Sequence, residues 1–261
     1  MGLLARIKQF LIDGVVGPSR SVRRRHIPIL GTYFGYGALG LTAVAELHWL
    51  KRDAEFTPAE LAVLSIWLAL PWSIKMVFGL LVDSLPIARS TRRSWLLVGS
   101  AMIAAGLLLN AANASGLSPL GGRSLQFAIA SFLISGGIVL QDVVADALTS
   151  EIVPRVDADG NPRPQQAIVQ EMAMVQVMGR FVVGLGAAIT GLLAVWVAEH
   201  LSAASVYLLG LAIPCVTAAT AVFGELPDVE RHPFDWMMLA GGAVTGGIVL
   251  ATTTGQMPAG Q

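Results

Sequence analysis

The sequence predicts an all-α integral membrane protein, and three observations carry that class. Of 261 residues, 54% are hydrophobic and only 13% charged, where a soluble domain carries about 25% charged residues. The mean hydropathy is +0.67. So little charge cannot clothe a water-facing globule, which excludes a soluble enzyme and a disordered chain. The apolar residues also run in stretches too long for barrel strands. Finally, the cations gather at alternate stretch ends, as the positive-inside rule requires of a helical membrane protein.

Taken in chain order, the elements begin with residues 1–27, a cytoplasmic segment. Leu3, Leu4, Ile7, Phe10, Leu11 and Val15 share one helical face, with Arg6, Lys8 and Asp13 elsewhere. The pattern fits an amphipathic helix on the cytoplasmic leaflet or a solvated starter helix, followed by a basic stretch near anionic headgroups. Seven stretches of about 20 mostly apolar residues follow, each enough to cross a bilayer core. They cover 29–50, 59–82, 95–113, 125–144, 175–198, 204–224 and 236–253. Trp49, Trp95, Trp196 and Trp236 fall at their ends, as in an aromatic belt. Glycines recur at Gly31-x-x-x-Gly35, Gly136-Gly137, Gly179 to Gly191 and Gly242-x-x-x-Gly246, spacings that let helices approach closely.

Thirteen of the seventeen Lys and Arg residues lie on one side. They are Arg6, Lys8, Arg20, Arg23, Arg24 and Arg25, then Arg89, Arg92 and Arg93, then Arg155, Arg163 and Arg180, and Arg231. The other side has only Lys51, Arg52 and Arg123, and Lys75 sits within a span. The N-terminus is therefore expected in the cytoplasm and, with an odd number of spans, the C-terminus outside.

A charge at a bilayer centre costs about 2.5–3.5 kcal/mol on insertion scales, so each buried charge calls for a partner or a function. Lys75 follows Pro71 in the second span, eight residues before Asp83, which is about 12 Å along a helix axis. It reads as a cation for an anionic solute or for a carboxylate partner, the alternative being a snorkelling lysine. In the fourth span Asp142 and Asp146 share a face at i and i+4 and need nearby cations or a retained proton. Arg180 is the expected ion-pair partner of Asp142, and a proton relay is the alternative. Glu46 lies near the outer end of the first span, where interfacial exposure accounts for it unless it lines the pathway. Gly79, Asp83, Arg92 and Arg93 frame a tight cytoplasmic turn that can close one conformation as a gate. No cofactor or metal site is expected. The single cysteine is Cys215, and no His or third carboxylate joins Asp142 and Asp146 at ligand spacing.

A glycine, three residues, an aspartate and then basic residues resembles the loop between the second and third helices of the major facilitator superfamily. Its neighbours sharpen the likeness: Gly37-Ala38-Leu39-Gly40-Leu41, Leu70-Pro71-Trp72-Ser73-Ile74-Lys75, Gly79-Leu80-Leu81-Val82-Asp83-Ser84-Leu85-Pro86-Ile87, Arg92-Arg93-Ser94-Trp95 and Asp142-Val143-Val144-Ala145-Asp146-Ala147. Together they resemble the folate–biopterin transporter family over roughly residues 30–235. The resemblance implies a six-helix major-facilitator N-terminal bundle over 28–224, the start of a cytoplasmic linker over 225–235, and a seventh span and tail over 236–261. It also implies alternating access about a mid-membrane site. Lys75 would line the cavity, Asp83 with Arg92 and Arg93 would form the gate, and Asp142 with Asp146 would supply the acidic motif.

The expected function is secondary transport of a small, anionic, folate- or pterin-like solute across the cell inner membrane, with protons as the candidate coupling ion. The alternative is a non-transporting half-permease that serves as a scaffold or assembly subunit of a membrane complex. A site between two halves also calls for a C-terminal half or a partner membrane subunit. Zero net charge gives no field for nucleic acid. No nucleophile–base set points to an enzyme.

Overall fold

The computed structural model describes residues 20, 22–52, 56–87, 92–227 and 235–254. The amphipathic stretch 2–16, Arg89 in the turn, Arg231 with the rest of 228–234, and the tail from 255 lie outside the described residues. Within them the chain is helical, with ten α-helices and no strand. They are α1 (Ile27–Ala38), α2 (Ala43–Arg52), α3 (Pro58–Ser73), α4 (Lys75–Ser84), α5 (Arg92–Ala114), α6 (Arg123–Glu151), α7 (Gln165–His200), α8 (Ala203–Gly210), α9 (Ala212–Phe223) and α10 (Trp236–Thr254).

Five helical segments are long and apolar enough to cross a membrane: Arg24–Arg52, Arg92–Ala114, Arg123–Glu151, Gln165–His200 and Ala203–Phe223. Their apolar side chains point outward as well as inward. On α7, Phe181, Leu185, Ile189, Leu192 and Trp196 are all exposed, which suits lipid, where all backbone groups are satisfied within helices. The protein is therefore an all-α integral membrane protein.

The stretch read as a single second span is two helices. Pro71 is buried inside α3 and has no N–H to donate. Three residues later Ile74 leaves helical geometry, with φ −104° and ψ 22°. The Ile74 N–H still reaches Leu70 O at 3.1 Å, the Val77 N–H turns back to Ile74 O at 2.8 Å, and α4 begins at Lys75.

Two helices also outrun their apolar stretches. α6 continues to Glu151 because its polar residues turn inward, where Gln141 donates to Ser100 Oγ at 2.8 Å and Leu96 O at 3.3 Å on α5. α7 starts at Gln165 and has 36 residues, about 54 Å of helix, well beyond the roughly 30 Å hydrocarbon core.

Long-range packing is built around α6, which lies against α1, α3, α4 and, most extensively, α5. α1 crosses α7, α9 packs on α1 and α5, and α10 lies along α3 and α4. Glycine permits the closest crossings. A β-carbon on Gly37 would stand 2.1 Å from Val183 O, and one on Gly186 2.7 Å from Phe34 O, so α1 and α7 touch backbone to backbone. Gly99 and Gly137 do the same for α5 and α6, each facing the other's carbonyl at under 3 Å from an added β-carbon. Trp49, expected at the lipid interface, is buried instead. It packs with Phe127 and Tyr207 at ring-centroid distances of 5.8 and 6.4 Å. Trp196 and Trp236 are exposed.

Candidate functional site

The helix break places a cation where the backbone alone would oppose it. Lys75 is the first residue of α4, at the positive end of the helix dipole, where an anion is favoured. Two carboxylates from α6 reverse that penalty. Lys75 Nζ donates to Asp142 Oδ2 at 2.6 Å and to Asp146 Oδ2 at 2.7 Å. One helical turn separates the two acids, so both project from the same face of α6 and one ammonium meets both. Tyr33 on α1 donates its hydroxyl to the other oxygen of Asp146 at 3.1 Å. Helices α1 and α4 thus converge on one acid pair of α6.

The cluster is sheltered on one side and open on the other. The side chain of Asp142 is 12% exposed, that of Lys75 34% and that of Asp146 48%. Asp146 and Tyr33 face a cavity of about 370 Å³ whose remaining wall is Gln176, Val177 and Arg180 of α7. The wall is chemically mixed, with one acid, one guanidinium, one amide, one phenol and one apolar side chain. Such a cavity can orient a polar solute by a few placed groups.

The cations are arranged differently from the sequence reading. Arg180 was expected on Asp142, but among the described residues Asp142 pairs with Lys75, and Arg180 lines the cavity instead. The two groups compete for the same acid, and Lys75 wins because the break at Ile74 sets α4 directly against α6. The ammonium between the acids also takes the position that a bound metal ion would need.

At the arginine-rich end a second cluster ties three helix ends together. Buried Arg92 donates from Nη1 to Asp83 Oδ1 at 2.6 Å, from Nε to Glu151 Oε2 at 2.9 Å, and from Nη2 to the second Glu151 oxygen. A forked guanidinium suits that bidentate geometry. Arg93 donates to Gly224 O at 3.3 Å and so reaches the end of α9. Gly79 lies one turn before Asp83 on α4, where an added β-carbon would meet only Val143 at 3.9 Å.

Sequence reasoning missed Glu151, which closes this joint from the end of α6. It also missed Glu171, which pairs with Arg25 and accepts from Arg163 Nη2 at 2.9 Å. Glu171 thereby links the start of α1, the segment before α7 and α7 itself. Both acids sit beyond the apolar stretches, where charge looked like ordinary solvated surface. Glu46 is neither at a free interface nor in the cavity wall. It is half-buried on α2 and accepts the Tyr207 hydroxyl at 3.1 Å.

The BT1 family matches residues 36–235, a stretch that holds Lys75, Asp83, Arg92, Asp142, Asp146, Glu151 and Arg180. A relative named folate-biopterin transporter, from Synechocystis sp. (strain ATCC 27184 / PCC 6803 / Kazusa), is 28% identical over 230 residues. That alignment takes in 87% of this chain and 42% of the relative, so the chain spans less than half of the relative's length. The family match runs from the end of α1 to the residue before α10 and takes in both charge clusters; on that coverage the chain belongs to the BT1 family.

Proposed function

We propose that this chain forms the solute-handling bundle of a secondary transporter for folate- or pterin-like compounds. The observation that carries the reading is Lys75 held between Asp142 and Asp146 beside the Arg180 cavity. Charges held inside a membrane bundle mark solute and ion pathways. The family and the name of the cyanobacterial relative favour the same substrate class.

The charges also divide the work. Lys75 is occupied by its two acids, so Arg180 is the cation presented to an anionic group of the solute. Lys75 and Arg180 together match the charge of Asp142 and Asp146, so an arriving anion adds one negative charge to the site. A proton that enters with the anion would restore the balance, and carboxylates held inside membrane bundles serve proton relays, so protons are the proposed coupling ion.

In this reading residues 28–224 act as a six-span major-facilitator bundle, 225–235 begin a linker, and 236–261 add a further span. The bundle works by alternating access. The Asp83–Arg92–Glu151 joint, with Arg93, holds the cytoplasmic side closed and must part when the bundle rocks. The N-terminus lies in the cytoplasm and the membrane is the cell's inner membrane, because thirteen cations gather at the ends that face inward.

Proteoliposomes containing the chain together with its C-terminal half or partner membrane subunit test the proposal with radiolabelled folic acid and biopterin. Uptake above that of empty vesicles, faster with acid on the side of entry, is the expected result. Uptake of both compounds at the empty-vesicle level would overturn it.

A further inference from the structure

A second cavity, of about 400 Å³, lies at the arginine-rich end between the start of α1 and the end of α9. Arg24, Ile27, Thr220, Phe223 and Glu225 are among its walls. It takes no part in the solute site. α1 and α9 touch closely at its edge, where a β-carbon on Gly224 would stand 2.2 Å from Pro28 Cγ. Arg93 holds the Gly224 carbonyl, so the turn that carries Glu225 is anchored.

Three features fit one class of ligand. Arg25 turns inward to Glu171, whereas its neighbour Arg24 is exposed at the cavity without an ion-pair partner among the described residues. Phe223 is 86% exposed and Ile27 45%, so an apolar surface runs from the charged mouth toward the membrane interior. Glu225 adds a carboxylate to the same mouth, again unpaired among the described residues. A guanidinium prefers a phosphate oxygen and a carboxylate prefers an ammonium N–H. Exposed aromatic and branched side chains suit an acyl chain.

We infer that this groove binds a phospholipid whose headgroup carries both a phosphate and a primary ammonium, the phosphate on Arg24, the ammonium on Glu225 and one acyl chain along Ile27 and Phe223. A purely anionic headgroup would satisfy Arg24 and be repelled by Glu225. A quaternary ammonium has no N–H to donate to Glu225. The lipid is drawn from the leaflet at the arginine-rich end.

Native mass spectrometry of the full chain, released from detergent with equal amounts of phosphatidylethanolamine, phosphatidylglycerol and phosphatidylcholine, tests this. Phosphatidylethanolamine adducts should exceed phosphatidylcholine adducts about ten-fold, the weight of one charge-assisted contact. Glu225→Gln should bring phosphatidylethanolamine down to the phosphatidylcholine level, and Arg24→Gln should lower the adducts of all three lipids about ten-fold. Both residues are exposed, so each variant should elute as a monodisperse peak like wild type, which confirms its fold. Equal retention of the three lipids by wild type, preference for phosphatidylglycerol, unchanged preference in Glu225→Gln, or undiminished adducts in Arg24→Gln would overturn the inference. Displacement of the lipid by excess inorganic phosphate would assign the site to free phosphate and overturn it too.

Discussion

Lys75 Nζ lies 2.6 Å from Asp142 Oδ2, although 67 residues separate them in the chain. The contact exists because α4 starts at Lys75 and lies against α6. Removing the ammonium leaves Asp142 and Asp146 facing each other across one helical turn. A buried pair broken in this way costs about 3–5 kcal/mol; with Lys75 one-third exposed, screening brings the expected loss to about 1–3 kcal/mol. Lys75→Ala should therefore lower the thermal midpoint in detergent, and Asp142→Asn in the same chain should recover part of the loss. A double-mutant cycle should give a coupling of about 1 kcal/mol or more for Lys75 with Asp142, and near-additivity for Arg180 with Asp142. Strong coupling to Arg180 with none to Lys75 would contradict the pairing.

The Asp83–Arg92–Glu151 joint depends on a fork. Arg92 is 3% exposed and holds both oxygens of Glu151 as well as Asp83. Arg92→Gln should destabilise by about 3–5 kcal/mol, because two acids lose their partner. Arg92→Lys should keep the charge and still lose much of that stability, since an ammonium cannot serve the three contacts in that geometry. Thermal unfolding that ranks Arg92→Lys with wild type would show that charge alone matters there.

The α1–α7 crossing should tolerate no side chain at Gly37. An added β-carbon meets a backbone carbonyl at 2.1 Å, which cannot move aside as a flexible side chain does. Gly37→Ala should cost about 1–3 kcal/mol, the range for overpacking. Gly184→Ala on the same helix pair, where nothing lies within 4 Å, should be near neutral. Equal thermal midpoints for the two variants would disprove the backbone contact.

Between α6 and α7 the segment folds back on itself, with Val156 bridged to Pro162 and Gly160 at φ +83°. Asp157 Oδ1 accepts the backbone N–H groups of Asn161 at 2.8 Å and Asp159 at 2.9 Å. The Asn161 N–H above all holds its carboxyl below the ordinary aspartate value of 3.8. Because that value is lowered, the stabilising contribution is complete above pH 3.8 and is lost as pH falls through the depressed value. Amide exchange at Asn161 and Asp159, corrected for intrinsic rates, should show protection near neutral pH that is lost as the pH falls below the ordinary aspartate value of 3.8. Asp157→Ala should remove the protection near neutral pH; protection that persists there in this variant would contradict the turn.

Hydropathy located the five long apolar helices because bilayer thickness acts on composition, and composition is local. The contact of Asp83 with Arg92 was legible for the same reason, since the two lie nine residues apart across one short connection. The Lys75 site was half legible. The spacing of Asp142 and Asp146 placed them on one face, but whether Lys75 or Arg180 reaches them depends on how α4 and α7 lie against α6. The break at Ile74 was hidden in an unbroken apolar run, where Pro71 signalled a kink and the turn fell three residues later. Trp49 and Glu46 were misplaced because an aromatic and an acid near a span end look interfacial until Phe127 and Tyr207 are brought over them. Glu151 and Glu171 escaped notice because a charge outside an apolar stretch looks the same in sequence whether it meets water or a buried arginine.

Equilibrium binding of biopterin and folic acid to the chain in nanodiscs, wild type against Arg180→Gln, tests the central claim most directly. The account predicts measurable binding of at least one compound by wild type and a Kd weakened about ten-fold or more in the folded variant, a loss of at least about 1.4 kcal/mol. The same Kd for wild type and a folded Arg180→Gln would contradict it.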